Sequence, residues 1–187
     1  MFVRKLFTLF RAYETDATQA VIDGHALKIL EHAARAFAAA GYAKLAYKAC
    51  ASFDSTETGN IGTAADFLAA RAGRPALLNA GAPRYNVTVF EGHLFYRGTL
   101  VSESIKRFDP LTPMTDPNLP RFLSHQTERS IALVPHSKLQ GGIEAARQAL
   151  AGASAQHGGH VLTDTADDND VAVTVKLRVK SRGWPCA

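Results

Sequence analysis

From Ser130 onward the chain reads IALVP, then GGIEAARQALAGASA, then HVLTDT: a short apolar run, a helical stretch, and a second apolar run. Strands that lie parallel in one sheet need a crossover of this kind between them, and the crossover is right-handed. The same alternation opens the chain. Residues 17–40 are Ala-rich and space Val21, Ile22, Leu27, Ile29, Leu30, Ala33, Ala34 and Phe37 for one face of a helix, with Thr15 or Asp16 to cap it and Gly41 to end it. KLAYKAC at 44–50 reads as a buried strand and ASFDSTETGN as the loop after it. A helix is expected from about Ile61 to Arg71, and the next strand over Pro75–Asn79.

The middle changes character. VTVFEGHLFYRGTLVSES is rich in β-branched and aromatic residues and carries Arg97-Gly98 as a hairpin turn. DPLTPMTDPNLP at 109–120 must be extended or turned until Asp116 and Pro117 cap and open a helix through Gln126. Val171, Val173, Val175, Leu177 and Val179 alternate with more polar residues, as in a strand. The expected fold class is α/β: an open, mostly parallel sheet with flanking helices and a small antiparallel hairpin excursion.

Composition narrows the function classes. With 47% apolar and 20% charged residues over 187 positions, the chain can bury one sizeable core. The opening FVRKLFTLFRAY is cut by Arg4, Lys5 and Arg11, which suits neither a membrane span nor a secretory signal. Cys50 and Cys186 are too few for a disulfide framework or a four-thiolate zinc site, so a cytoplasmic location is expected. The net charge of +4 resides in Lys176, Arg178, Lys180 and Arg182, the rest of the chain being balanced. This excess is a tail rather than a binding face, so neither nucleic acid nor membrane is an expected partner.

In an open parallel sheet, ligands gather beyond the carboxyl ends of the strands. The loop after Cys50 is the richest such place: Lys48 precedes Asp54, Ser55, Thr56, Gly59, Asn60 and Gly62, and a helix follows. A cation, a carboxylate, hydroxyls and unpaired helix amides in one loop suit a small polyhydroxylated acid. The same residues also serve as ordinary caps and turns, with Lys48 lying along the surface, and both readings stand at this level. No Gly-rich loop ending in Gly-Lys-Ser or Gly-Lys-Thr is present. His25 and His32 on the first helix, and His157 and His160 in a Gly-rich turn, match no metal-ligand pattern and read as solvated or capping. His93, at the start of the hairpin, reads as packed or solvated. Asp164, Asp167, Asp168 and Asp170 lack the spacing of a calcium loop and read as a solvated turn.

FDSTETGNIG at 53–62, FEGHLF at 90–95, and DPLTPMTDPNL at 109–119 followed by Gln126-Thr127 together resemble the N-terminal domain of the four-carbon acid sugar kinase family, from about Ala17 to Asp170. The resemblance implies a phosphotransferase that moves the γ-phosphate of ATP, with Mg, to the terminal hydroxyl of a four-carbon sugar acid. It implies substrate-side roles for Lys48, Asp54, Ser55, Thr56, Gly92 and His93. Lys48 and the Asn60 to Gly62 helix start would take the carboxylate, and Asp54 and Ser55 the hydroxyls.

The chain departs from the family pattern in several places. Nothing before Ala17 matches the expected Asp-Asp-x-Thr-Gly-Ala, and Asn86-Val87-Thr88 stands where the family has Gly-Arg-Thr. The C-terminal nucleotide-binding domain of the family has no counterpart. Residues 1–170 are therefore expected to form a partial substrate-binding domain, truncated at both ends and inactive alone, with 171–187 an atypical basic tail. A separate nucleotide-binding domain is an expected partner. A non-catalytic sugar-acid binding module and a gene remnant are the alternatives.

Overall fold

The computed structural model describes residues 26–42, 45–49 and 53–180, and the chain divides into two compact units, residues 1–45 and 46–187. In the first unit, helix α1 spans Ala26–Ala39, inside the expected 17–40. Its proposed cap at Thr15 or Asp16 lies outside the described residues. Gly41, at φ 85°, ends it: Gly41 N donates to Ala38 O at 3.0 Å and Tyr42 N to Phe37 O at 2.9 Å, a Schellman closure. The ring of Tyr42 meets that of Phe37 edge-on at 5.9 Å.

The second unit is built on the alternation read from the sequence. Helix α2 spans Ile61–Ala72 and strand β1 Leu77–Asn79. The antiparallel strands follow: β2 at Val87–Phe90, β3 at His93–Tyr96 and β4 at Thr99–Leu100. Helix α3 is Leu119–Ser124 and β5 Ile131–Val134. Helices α4, His136–Gln140, and α5, Gly142–His157, lead to β6, His160–Thr163, and α6, Asp168–Lys180.

β1, β6 and β5 form a parallel sheet in that order, Leu78 opposite Leu162 and Leu133 opposite Leu162 on the other side. β6 is thus central, and all four of its residues are buried. Alternation of side chains sends Leu78 and Leu162 to one face and Leu77 and Val161 to the other. The first face packs on Ile61 and Ala65 of α2, Leu119 and Leu123 of α3, and Val89 and Leu94 of the antiparallel sheet. The second packs on Leu139 of α4, Ala146 and Leu150 of α5, and Val173 and Leu177 of α6. Both faces are covered, as a parallel sheet requires. No helix among the described residues is long and apolar enough to cross a membrane.

Three local expectations are corrected. Residues 45–49 form no named strand, and Lys44 and Cys50 lie outside the described residues. The helix after the Pro-punctuated segment is capped by Asn118, whose Oδ1 accepts from Arg121 N at 3.0 Å, rather than by Asp116. The alternating residues of 171–179 belong to α6, a helix, not a strand. Asp167 Oδ1 accepts from Asp170 N at 2.9 Å and caps its start, while Asp170, Val173, Thr174 and Leu177 line its buried stripe at helical spacing.

Candidate functional site

Phe53, 1% exposed at φ 56°, anchors the loop in the core, and the residues after it turn back onto α2. Asp54 Oδ2 accepts from Lys106 Nζ at 2.8 Å, the two side chains about one-fifth exposed (21% and 20%). Burial works against the charge on Lys106, but the hydrogen bond and charge of Asp54 outweigh it and raise the pKa of the ammonium above its ordinary value. Ser55 is buried. Its Oγ accepts from Gln126 Nε2 at 3.0 Å, and Thr56 O accepts from the same nitrogen at 2.7 Å. Thr56 Oγ1 lies 3.3 Å from Thr58 Oγ1.

Gln126 turns its other end to the helix: Gly62 N donates to its Oε1 at 2.9 Å. A Cβ on Gly62 would stand 2.6 Å from Gln126 Cβ and 2.7 Å from its carbonyl oxygen, so only glycine admits this approach. Asn60 stands at the cap position without a side-chain cap bond. Two of the groups expected to receive a carboxylate have partners within the chain. The Gly62 amide is occupied by Gln126, and Lys48 is exposed with Nζ on Ala49 O at 3.3 Å. The cation on Asp54 is Lys106.

Gly92 and His93 belong to a different corner. Glu91 and Gly92, at φ 48° and 72°, turn β2 into β3, a second hairpin beside the expected one at Arg97-Gly98. Gly92 N donates to Asp164 Oδ1 at 2.9 Å, and Gly92 O accepts from Leu119 N at 2.9 Å. His93 Nδ1 lies 2.8 Å from Glu91 O, and its Nε2 3.4 Å from Asn118 Nδ2. This pair thus meets the start of α3, while Ser55 and Gly62 meet Gln126 beyond its end. One helix stands between the two halves of the expected site.

The acidic segment after β6 is a buttress, not a solvated turn, at Asp164 and Asp170, both fully buried. Asp164 accepts three backbone N–H groups, from Glu91 at 2.8 Å, Gly92 at 2.9 Å and His136 at 2.9 Å. Asp170 Oδ2 lies 2.8 Å from His136 Nδ1, and this hydrogen bond raises the histidine's pKa against the opposing effect of burial. His136, Asp167 and Asp170 bring one ligand atom each within 4.8 Å of one another. Each carboxylate is engaged by protein donors: Ala166 N and Gln140 Nε2 on Asp170, Asp170 N and Gln140 Nε2 on Asp167. These bonds make the cluster a cap for the start of α6.

His160 is likewise buried rather than solvated. Ala76 N donates to its Nδ1 at 3.1 Å and its Nε2 meets Asp66 Oδ1 at 2.9 Å, so the neutral ring bridges α2 to β6. The side chains of His25 and His157 lie outside the described residues.

Beside the Asp54–Lys106 pair is a wide open concavity of about 890 Å³ whose polar walls include Tyr85, Tyr96, Arg97 and Lys106. Arg97 and Lys106 both lie over the ring of Tyr96, at 5.4 and 5.7 Å from its centroid. Val87, at the position where the resemblance expects arginine, is buried and also borders this space. Arg84, three residues before it, reaches Asp168 at 3.7 Å instead. Sequence reasoning missed Lys106 because it lies 52 positions beyond the Asp54 it meets. Gln126 carried a signal in the Gln-Thr pair of the resemblance.

Residues 16–186 match the sequence family described as the sugar-binding N-terminal domain. The chain is 38% identical to the 3-oxo-tetronate kinase of Pectobacterium atrosepticum over 65% of its own length and 29% of the relative's. It is 37% identical to the 3-oxo-tetronate kinase of Pseudomonas fluorescens over 70% of its length and 31% of the relative's. For the 3-oxo-tetronate kinase of Cupriavidus necator, identity is 30% over 84% of this chain and 38% of the relative. The chain thus spans about a third of the length of these curated relatives. A solved Haemophilus influenzae protein of the DUF1537 family superposes with a TM-score of 0.81 at 27% identity, over 88% of this chain and 40% of that one. A Salmonella typhimurium structure gives the same TM-score and identity over 87% and 38%.

Proposed function

Because this chain belongs to the family of sugar-binding N-terminal domains, we propose that it is the acceptor-binding part of an ATP-dependent kinase that phosphorylates the terminal hydroxyl of a four-carbon sugar acid of the 3-oxo-tetronate kind. The observation that carries this reading is that the family match runs unbroken through the Asp54 loop, the Gly92–His93 turn and the Gln126 tether. Phosphoryl transfer asks a protein mostly to position and to neutralise charge. Asp54 accepts the hydrogens of substrate hydroxyls, held in place by Lys106, while Gln126 fixes Ser55 and Thr56 beside it.

In this reaction ATP would supply the phosphoryl group and Mg would offset its charge, but the described residues offer no recognisable nucleotide site. The carboxylates of the His136 cluster already accept from protein donors, and no Gly-rich loop ending in Gly-Lys-Ser or Gly-Lys-Thr is present in the sequence. We propose that nucleotide contacts fall to a separate nucleotide-binding domain and that the chain needs it for turnover. A cytoplasmic location fits this reading, in keeping with the two cysteines of the sequence.

Ligand-detected NMR with threonate and 3-oxo-tetronate tests the reading. Millimolar binding that Asp54→Asn abolishes is expected, with no ADP formed from ATP and Mg. Absence of binding by the folded chain overturns the acceptor role. Substrate-dependent ADP release by the chain alone overturns its dependence on a second domain.

A further inference from the structure

We infer that the concavity beside the Asp54–Lys106 pair is the seat of the ligand's carboxylate, with Arg97 as the residue that receives it. This inference rests on the sugar-acid reading above and names the anion contact within it. Three observations on charge, shape and backbone conformation converge.

The first is charge. Lys106 is shared with Asp54 at 2.8 Å, whereas no carboxylate among the described residues pairs with Arg97. A neutral pair beside an uncompensated guanidinium leaves the wall of the concavity positive, which suits a small anion and not a neutral sugar.

The second is shape. Arg97 and Lys106 lie over one aromatic ring, that of Tyr96, at 5.4 and 5.7 Å from its centroid, so the two cations gather at one wall of the concavity. The guanidinium presents a planar fork of donors that matches a carboxylate. Asp54 stands next to Lys106 and is positioned for hydroxyls.

The third is backbone strain. Tyr96 pairs with Thr99 across a two-residue loop whose residues Arg97 and Gly98 have φ 52° and 81°. Such a turn is at ease with Asn-Gly or Gly-Gly, and an arginine in its first place is held in the left-handed region against its preference. A strained residue that faces a concavity and lacks an ion partner is one the site uses.

The strain supplies a clean test. Arg97→Asn suits the turn better and should raise the melting temperature, while removing the guanidinium. By calorimetry or ligand-detected NMR on the full chain, threonate should bind Arg97→Asn at least tenfold more weakly than wild type. Arg107→Gln, an exposed cation whose guanidinium reaches Ser102 O at 3.5 Å, should bind as wild type does. Threonate affinity within twofold of wild type in Arg97→Asn, with Asp54→Asn still abolishing binding, overturns the Arg97 assignment and leaves the sugar-acid reading intact. Wild-type chain that is folded and binds no four-carbon acid overturns both.

Discussion

Gln126 and Gly62, 64 residues apart, are joined by a buried hydrogen bond of 2.9 Å from the glycine amide to the glutamine Oε1. The other end of the same side chain holds Ser55 Oγ and Thr56 O. One amide group therefore fixes the helix start and the loop before it. Gln126→Leu keeps the volume and removes every one of these bonds. It should cost roughly 1–3 kcal/mol for each group left buried without a partner, read as a lower denaturation midpoint at unchanged slope. Gly62→Ala should be as damaging through steric overlap alone. An unchanged midpoint in either variant contradicts the tether.

Asp164 joins the carboxyl end of the parallel sheet to the β2–β3 turn and to the start of α4 through three backbone N–H groups. Asp164→Ala strands those donors and should destabilise by several kcal/mol, about 1–3 for each. Asp164→Asn retains one accepting oxygen and should fall between wild type and Asp164→Ala. Equal stability of the three proteins refutes the buttress role.

Two histidines give opposite pH dependences. The pKa of His160 is lowered from 6.5 by burial, so its folded state prefers the neutral ring. Its contribution is complete above the unfolded value and is lost as pH falls below it toward the folded one. That of His136 is raised from 6.5, chiefly by its hydrogen bond to Asp170. Its contribution is complete below the unfolded value and fades as pH rises through the folded one. Urea titrations from pH 5 to 8 should show stability falling on the acid side in His136→Gln, where only His160 acts. His160→Gln should remove that acid-side fall even though it is less stable throughout. Parallel profiles for the two variants contradict this assignment.

Leu177, 1% exposed on α6, packs into the second core cluster with Val173. Leu177→Ala should cost about 2–5 kcal/mol. Deleting residues 171–187 would improve solubility if they formed an exposed strand edge. On the observed packing, deletion exposes Leu150 and Leu139 and should lower the melting temperature by many degrees. A truncated chain as stable as the full one refutes the packing of α6.

The sequence by itself determined what depends on neighbours in the chain. Strand-helix alternation from Ser130 predicted β5, the crossover and β6, and Arg97-Gly98 predicted its hairpin, because periodicity and turn chemistry act over a few residues. The segments around Phe53, Gly92 and Pro110 determined the family. Tertiary structure decided which groups meet. Lys106 rather than Lys48 stands on Asp54 because charge pairing depends on distance in space, and the fold brings together residues 52 positions apart. The Val-rich stretch of α6 alternates like a strand, yet it is a helix because Asp167 caps it and its i, i+4 pair Val173 and Leu177 has a sheet face to bury against. That capping signal, Asp-x-x-Asp ahead of an apolar run, was legible. The face that outweighs the β preference of valine exists only once β5 and β6 have paired.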